Sequence, residues 1–298
     1  MKVGYFPGCS LHATSREYDQ SLRAVTERLE IELEEVADWA CCGATSAHAT
    51  NHLLGLVLPA RTLALAEAQD LGRVLAPCAA CFSRLATTRW TLSEDPELRA
   101  QVCEILDLPF TNTVAVSSLL DVLHGMIPGI TAAVTRPLQG LNVACYYGCL
   151  LLRPPEVVSF DDPEAPTSME DVVRALGAAP VEWHRRLECC GGGFSLSRRG
   201  SVIRLGREIL EDALRAGAHA VAVACPMCHS NLDFRQRAMA QADGRPFDLP
   251  VLFLSQLLGL ALGIEPDDLG MQRHFVSTRS VLARGATPAA LEAPQEGG

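Results

Sequence analysis

Short apolar runs alternate with longer amphipathic segments along this chain, and the two periodicities separate its elements. Lys2 to Phe6, Glu32 to Val36 and Arg73 to Ala76 read as strands, as do Asn142 to Tyr146, Val181 to His184 and Ala220 to Ala224. Between them, Glu17 to Leu29, His48 to Gln69, Val202 to Leu214 and Asn231 to Ala240 carry helical spacing. Strand then helix, repeated, predicts an α/β fold with short parallel sheets and right-handed crossovers. In such sheets the strand carboxyl ends share one edge, where ligands bind.

Every one of these strands is followed closely by cysteine. Of twelve cysteines, ten form two matching sets: Cys9, Cys41, Cys42, Cys78 and Cys81, then Cys149, Cys189, Cys190, Cys225 and Cys228. The first set reads C-x31-C-C-x35-C-x2-C and the second C-x39-C-C-x34-C-x2-C, with the copies 140 to 148 residues apart. An offset that steady marks an internal duplication. It divides the chain into two pseudo-symmetric α/β repeats, residues 1–138 and 139–283, followed by an Ala-, Pro- and Gly-rich tail, 284–298, that reads as disordered. The cysteines of each repeat are expected on loops at the strand carboxyl ends, and so to converge.

Composition changes this picture only slightly. A chain of 298 residues, 48% hydrophobic and 20% charged, is long enough to bury a core without staples. A formal charge of −10 with no dense Lys/Arg run argues against nucleic acid or an anionic membrane as the main partner. No apolar stretch near Met1 resembles a signal peptide, and Leu249 to Ile264 is interrupted by Ser255, Gln256 and two glycines, so the chain is not expected to span a membrane. The expected compartment is the cytoplasm, where thiols stay reduced, which turns twelve cysteines from a disulfide scaffold into metal ligands or redox groups.

Five convergent thiolates exceed what either structural zinc or a cubane iron–sulfur cluster takes from cysteine, since both use four. The extra sulfur is a spectator, a redox-active thiol, or a ligand to a cluster larger or more open than a cubane. Adjacent cysteines such as Cys41-Cys42 and Cys189-Cys190 diverge in extended backbone, so they do not readily chelate one ion but can reach two irons of one cluster. Gly43 and Gly191-Gly192-Gly193 follow the two pairs, removing β-carbons where backbone must come close, and their N–H groups can donate to cluster sulfurs. The glycine run is not a dinucleotide fingerprint, because the third glycine position is Leu196.

The doubled cysteine pattern, the openings "YFPGCSLHATSREYDQS" and "YYGCLLLRPPE", the segment "CPMCHSNLDFRQ" and the ending "LGMQRHFVS" together resemble the B-type subunit of heterodisulfide reductase, a duplicated cysteine-rich CCG-domain protein. The likeness runs to about Ser277. It implies that Cys9, Cys41, Cys42, Cys78 and Cys81 bind one noncubane [4Fe-4S] cluster, and that Cys149, Cys189, Cys190, Cys225 and Cys228 bind a second. It also implies that a small disulfide is split between the two, with electrons arriving through a ferredoxin-like C-type subunit fed by a flavin-containing A-type subunit. The chemistry agrees, since cleaving a disulfide takes two electrons and each cluster normally delivers one. The chain has no ferredoxin-type cysteine run and no flavin fingerprint, so a partner must supply the electrons. Two other classes compete: a CCG-domain electron-transfer protein of a lactate, glycolate, glycerol-phosphate or succinate oxidoreductase that splits no disulfide, and a zinc-stabilised interaction module.

Residues near the motifs carry weaker expectations. Cys103 reads as a buried apolar residue of a helix and Cys145 as a core thiol on a strand. His12 and His229 each lie within three residues of a ligand position and are expected to support or be solvated beside it. Arg16, Arg84, Arg153, Arg198 and Arg199 follow cysteine motifs, where each is either an anion clamp or an ordinary solvated residue.

Overall fold

The structure, a computed structural model, describes residues 2–44 and 46–285. Strands β1 (Lys2–Tyr5), β2 (Glu32–Glu35), β3 (Arg73–Leu75) and β4 (Ala115–Ser117) make one parallel sheet in the order β2-β1-β3-β4. Strands β5 (Asn142–Tyr146), β6 (Ala179–Pro180), β7 (Ala220–Val223) and β8 (Val251–Phe253) make a second in the order β6-β5-β7-β8. The two orders are the same, each sheet growing outward from its first strand on both sides. The central strand β7 is buried at all four residues, Ala-Val-Ala-Val, as expected of a parallel strand covered on both faces.

The expected α/β architecture is thus present, with instructive differences in its parts. The strand expected at Val181 to His184 lies earlier, at Ala179–Pro180. Val181 still donates to the carbonyl of Val143 at 2.9 Å, but the N–H groups of His184 and Arg185 turn to Asp212 Oδ2 at 2.8 and 3.0 Å, which ends the ladder. The helix expected over His48 to Gln69 breaks into Ala47–Thr50 and His52–Ala68, because Asn51 is extended and its Oδ1 caps Leu54 N at 2.9 Å. The helix expected over Asn231 to Ala240 becomes Pro226–Leu232 and Gln236–Asp243. Between these two, the Asp233 carboxylate takes the N–H groups of Phe275 and Val276 at 2.8 and 3.2 Å, tying a distant segment into the break. The helix Arg279–Gly285 runs into the first two residues of the expected tail, and the tail from residue 286 onward lies outside the described residues.

The sheets are held to one another by helices from both halves. Helix Arg16–Arg28 packs on helix Leu254–Ala261, where the hydroxyls of Ser21 and Ser255 meet at 2.7 Å. Tyr18 stacks flat on Phe253, with ring centroids 4.0 Å apart and planes 5° from parallel. This packing points the carboxyl ends of β3 and β7, and the C-x-x-C motifs that follow them, at each other.

Candidate metal centre

Each cysteine set is built by the same local devices. Cys9 and Cys149 follow glycines in the left-handed region, Gly8 at φ +64° and Gly148 at φ +67°. A β-carbon at Gly8 would lie 3.0 Å from Cys81 Sγ, and one at Gly148 would lie 3.3 Å from Cys228 Sγ. Each glycine therefore leaves space beside the last sulfur of its own set. Cys78 and Cys225 sit at the N-caps of helices Ala79–Glu94 and Pro226–Leu232, with Cys81 and Cys228 one turn in. Helix N-termini favour the thiolate form. In each half three sulfurs are buried, Cys42, Cys78 and Cys81 or Cys190, Cys225 and Cys228, while Cys9, Cys41, Cys149 and Cys189 are more open.

The sulfurs converge as expected, and across the halves as well as within them. Cys42 and Cys81 lie 3.3 Å apart and Cys190 and Cys228 lie 3.4 Å apart. Cys81 and Cys78, Cys78 and Cys225, and Cys225 and Cys228 also lie close enough to shift one another's ionisation. With Cys41 beside Cys42, seven sulfurs form one series of neighbours running from the first set into the second. Cys149 neighbours Cys189 in the same way, and the N–H of Gly191 donates to Cys189 Sγ at 3.3 Å. Thiols this crowded do not all ionise alike. Cys41 and then Cys81 push Cys42 down to about 3, and Cys149 pushes Cys189 down to about 6. Cys225 is likewise pushed well down, first by Cys228 and then by Cys78. Their neighbours Cys41, Cys78, Cys81, Cys149 and Cys228 are pushed up, Cys78 in spite of its place at a helix N-terminus.

This donor set suits a soft, thiolate-ligated group. The buried sulfurs meet chiefly other sulfurs and backbone N–H groups, and glycines leave room beside them. Five sulfurs in each half, with one series of neighbours joining the halves, fit iron–sulfur ligation better than two isolated zinc ions of four ligands each.

Residues that sequence reasoning passed over support the set. Asn231 Nδ2 donates to the carbonyl of Cys190 at 3.1 Å, and its Oδ1 accepts from Ser195 at 3.0 Å. Tyr18, buried against Cys78 and Cys225, donates to the carbonyl of Pro77 at 3.1 Å. His229, already singled out in the sequence, stacks on Phe253, at 4.3 Å, and meets the overlooked His274 with Nε2 to Nδ1 at 3.2 Å. Gln256 settles how these rings are protonated. Its Oε1 accepts from Phe253 N at 2.9 Å and its Nε2 donates to Leu269 O at 3.1 Å, so an amide N–H also faces His274 Nε2 at 2.8 Å. The proton of His274 is therefore on Nδ1, pointing at His229. Asp233 joins these histidines within 4.8 Å, a spacing open to a cation, but the proton on Nδ1 occupies the position a metal would need. His274 and Asp233 both fall inside segments quoted above for their family likeness, "LGMQRHFVS" and "CPMCHSNLDFRQ", which was the available signal.

The other singled-out residues separate cleanly. Cys145 is buried in β5 away from the sets, and Cys103 is half-buried with Sγ 3.6 Å from Phe110 O. His12 packs edge-on to Trp39 and reaches Glu35 at 3.2 Å. Arg16 donates to His12 O at 3.3 Å, Arg153 pairs with Glu164 at 2.8 Å, and Arg198 lies over the Phe194 ring. Arg84 alone among these lines a cavity of about 270 Å³ whose other walls include all five cysteines of the second set.

The cysteine-rich CCG domain model matches twice, over residues 3–86 and 143–233. The 8-methylmenaquinol:fumarate reductase membrane anchor subunit of Wolinella succinogenes is 37% identical over 92% of this chain and 97% of its own length. The B-type subunit of the ferredoxin:CoB-CoM heterodisulfide reductase of Methanosarcina mazei is 30% identical over 95% of this chain and 96% of its own. A crystal structure of a hypothetical protein from Helicobacter pylori shares the fold, with a TM-score of 0.77 at 13% identity over 93% of this chain, which spans about half (52%) of that one. The chain therefore belongs to the cysteine-rich CCG domain family, in the duplicated form seen in the B-type subunit of heterodisulfide reductase.

Proposed function

We propose that this chain is the iron–sulfur subunit of a heterodisulfide reductase-like complex, performing two-electron chemistry on a small disulfide or thiol. Cys9, Cys41, Cys42, Cys78 and Cys81 hold one noncubane [4Fe-4S] cluster, and Cys149, Cys189, Cys190, Cys225 and Cys228 hold the other. The observation that carries this reading is that two five-cysteine sets meet in one protein, the buried Cys78 of the first lying near enough to the buried Cys225 of the second for each to shift the other's ionisation. When bound, each cluster supplies a single electron. The reaction RSSR′ + 2e⁻ + 2H⁺ → RSH + R′SH requires two, so a joined pair matches its electron count. The chain's own residues bind and shape the site: thiolates ligate, Gly191 donates its N–H to Cys189, and the cavity that all five cysteines of the second set line would take their cluster. Electrons come from a ferredoxin-like C-type subunit and a flavin-containing A-type subunit, in the cytoplasm, with residues 1–138 and 139–283 as the two repeats.

A second reading rests on the 37% identical fumarate reductase relative: here the clusters only pass electrons in a succinate-type oxidoreductase. That relative is named a membrane anchor; among the described residues here, no helix is long and apolar enough to cross a membrane. The two readings part in one assay. Anaerobically purified protein is expected to hold about eight irons, four per cluster, to change its spectrum when a thiol is added, and to reduce a disulfide when given a low-potential dye. Stoichiometric zinc with little iron overturns both readings. Eight irons with no thiol response and no disulfide turnover leaves only the electron-transfer reading.

A further inference from the structure

The two cysteine sets match sulfur for sulfur, but their electrostatic surroundings do not. Arg84 lies on helix Ala79–Glu94, which Cys78 of the first set caps, yet the cavity it lines is walled by all five cysteines of the second. It is half-buried and, among the described residues, makes no hydrogen bond or ion pair. Arg16, Arg153 and Arg186, also near cysteine motifs, all have backbone or carboxylate partners. Among the described residues no carboxylate lines that cavity, and its other basic wall residue, His48, is exposed. A guanidinium is charged at any working pH, so a fixed positive charge from the first half borders the place of the second half's cluster.

The duplication sharpens the point. Arg84 stands three residues after Cys81, and its counterpart three residues after Cys228 is Asn231. Asn231 is fully buried, donates from Nδ2 to the carbonyl of Cys190 at 3.1 Å, and brings the same nitrogen to 3.8 Å from Cys190 Sγ. At this place in the repeat both halves therefore serve the second set, one with an amide from its own chain segment and the other with a charge from across the interface. The place that would send a charge the opposite way holds the neutral Asn231. Among the described residues, no side-chain N–H reaches a sulfur of the first set.

Net charge and hydrogen bonds to the sulfurs set the potential of an iron–sulfur cluster. Reduction adds negative charge, so a cation or an N–H donor beside the sulfurs favours the reduced form, and more strongly out of bulk water than in it. We infer that Arg84 is a counter-charge that sets the cluster of the second set at a higher reduction potential than the cluster of the first. This rests on the iron–sulfur reading above, in either of its forms, and adds an order: of two clusters with the same ligands, the second is reduced first.

The test is a potentiometric titration of the anaerobic holoprotein, followed by EPR and visible spectra. Cys81→Ser, which keeps the second cluster, and Cys228→Ser, which keeps the first, assign the two waves. The upper wave is expected to belong to the second cluster. Arg84→Gln is expected to weaken reduction of that cluster about tenfold, about 59 mV for one electron, with iron content unchanged and the first cluster's wave moved far less. Arg84→Lys, which keeps the charge, is expected to retain most of the difference. Equal potentials in the wild type, an upper wave that belongs to the first cluster, or an Arg84→Gln shift common to both waves each overturn the inference. So does an equal fall in Arg84→Gln and Arg84→Lys, which would make the side chain a packing element. A metal-independent arm separates this result from failure of the iron–sulfur reading: phenylglyoxal is expected to modify Arg84 several-fold more slowly in metal-loaded protein than in apoprotein, with the distant Arg136 unchanged, as read by mass spectrometry. Equal Arg84 reactivity overturns the inference whichever metal is bound. Protection in a protein that holds zinc leaves Arg84 beside the metal and overturns the potential difference together with the iron–sulfur reading.

Discussion

Three residues before the first cysteine of each set the halves carry Phe6 and Tyr146; one residue after the last cysteine they carry Phe82 and His229; five residues after it, Ala86 and Asp233. At these equivalent places the first half is apolar and the second is polar, and the polar residues are all bonded: Tyr146 to Glu188 O, His229 to His274, Asp233 to the N–H groups of Phe275 and Val276. The sheet order, the left-handed glycines and the ten sulfurs are the same in both. Duplication has thus kept what places sulfur and changed what surrounds it. The second half is braced by internal hydrogen bonds around an open cavity, and the first contributes packing and, at Arg84, a charge.

If sulfur placement is the shared part, breaking it in either half should have the same large effect. Cys81→Ser and Cys228→Ser are each expected to lose about half the iron while losing nearly all dye-coupled disulfide reduction. Loss of a residue that only supports a ligand costs up to roughly 100-fold, and loss of the ligand itself lies at or beyond that. Cys103→Ser should retain both iron and turnover, since its sulfur lies against Phe110 O and not against the sets. A Cys81 or Cys228 variant with wild-type turnover would show that one half suffices.

The bracing in the second half should show as a pH dependence carried by Asp233, at a place where the first half has Ala86. Burial raises the Asp233 carboxyl to about 6, above its ordinary range, with Glu17 adding to the rise and the two backbone N–H groups opposing it. His229, His274 and Arg273 also face this region. A folded pKa above the unfolded one favours the folded state while the group is protonated. That contribution is complete below the unfolded aspartate value and is lost as pH rises through about 6. Its size is on the order of 3 kcal/mol. Asp233→Asn should therefore flatten the stability of the apoprotein between pH 4 and pH 7 relative to wild type, on the order of that amount, in urea unfolding. Parallel curves would mean that the carboxylate is solvated or already compensated.

What was legible in the sequence follows the same division. The cysteine spacing, the duplication and the strand-helix alternation are local signals, and the ten sulfurs do converge where strand carboxyl ends meet. Strands β4 and β8, three residues each, were not visible because runs that short carry no period and no cysteine motif follows them; β3 is as short, but Cys78 follows it closely. The breaks at Asn51 and Asp233 were hidden because the groups that terminate those helices are a side-chain cap and a segment some forty residues away. Arg84 could not be told from Arg16 or Arg153 for a similar reason. A cation's lack of a partner is a property of the tertiary arrangement, and five arginines at similar offsets look alike until their neighbours are known.

The shared glycines allow a graded comparison. Gly8→Ala and Gly148→Ala both place a side chain in the left-handed region, which costs roughly 1–2 kcal/mol. Gly8→Ala should be the more damaging, because its β-carbon would meet Cys81 Sγ at 3.0 Å against 3.3 Å from Cys228 Sγ for Gly148→Ala. Each should lower thermal stability of the apoprotein and reduce iron loading, with the deficit confined to its own half. Equal and small losses would indicate that the sulfurs shift freely and that the glycines serve only the turn.

The smallest expected effect tests whether the halves can be made alike. Tyr146 donates to Glu188 O at 2.5 Å, directly before Cys189, whereas Phe6 at the same place offers no hydroxyl. Both rings lie against their left-handed glycines, so ring packing is common to the two halves and only the hydrogen bond differs. Tyr146→Phe should cost about 1 kcal/mol, the net worth of one such bond, and leave iron content unchanged. The reverse change is not symmetric. Phe6 is fully buried, so Phe6→Tyr places a hydroxyl where the native residue needs no partner, and a buried donor without one costs about 1–3 kcal/mol. Thermal unfolding of the two apoprotein variants should therefore rank Phe6→Tyr below Tyr146→Phe. If Phe6→Tyr is neutral instead, the first half holds a carbonyl or water that can take the new hydroxyl, and its apolar character around the vicinal cysteines is less strict than that of its twin is polar.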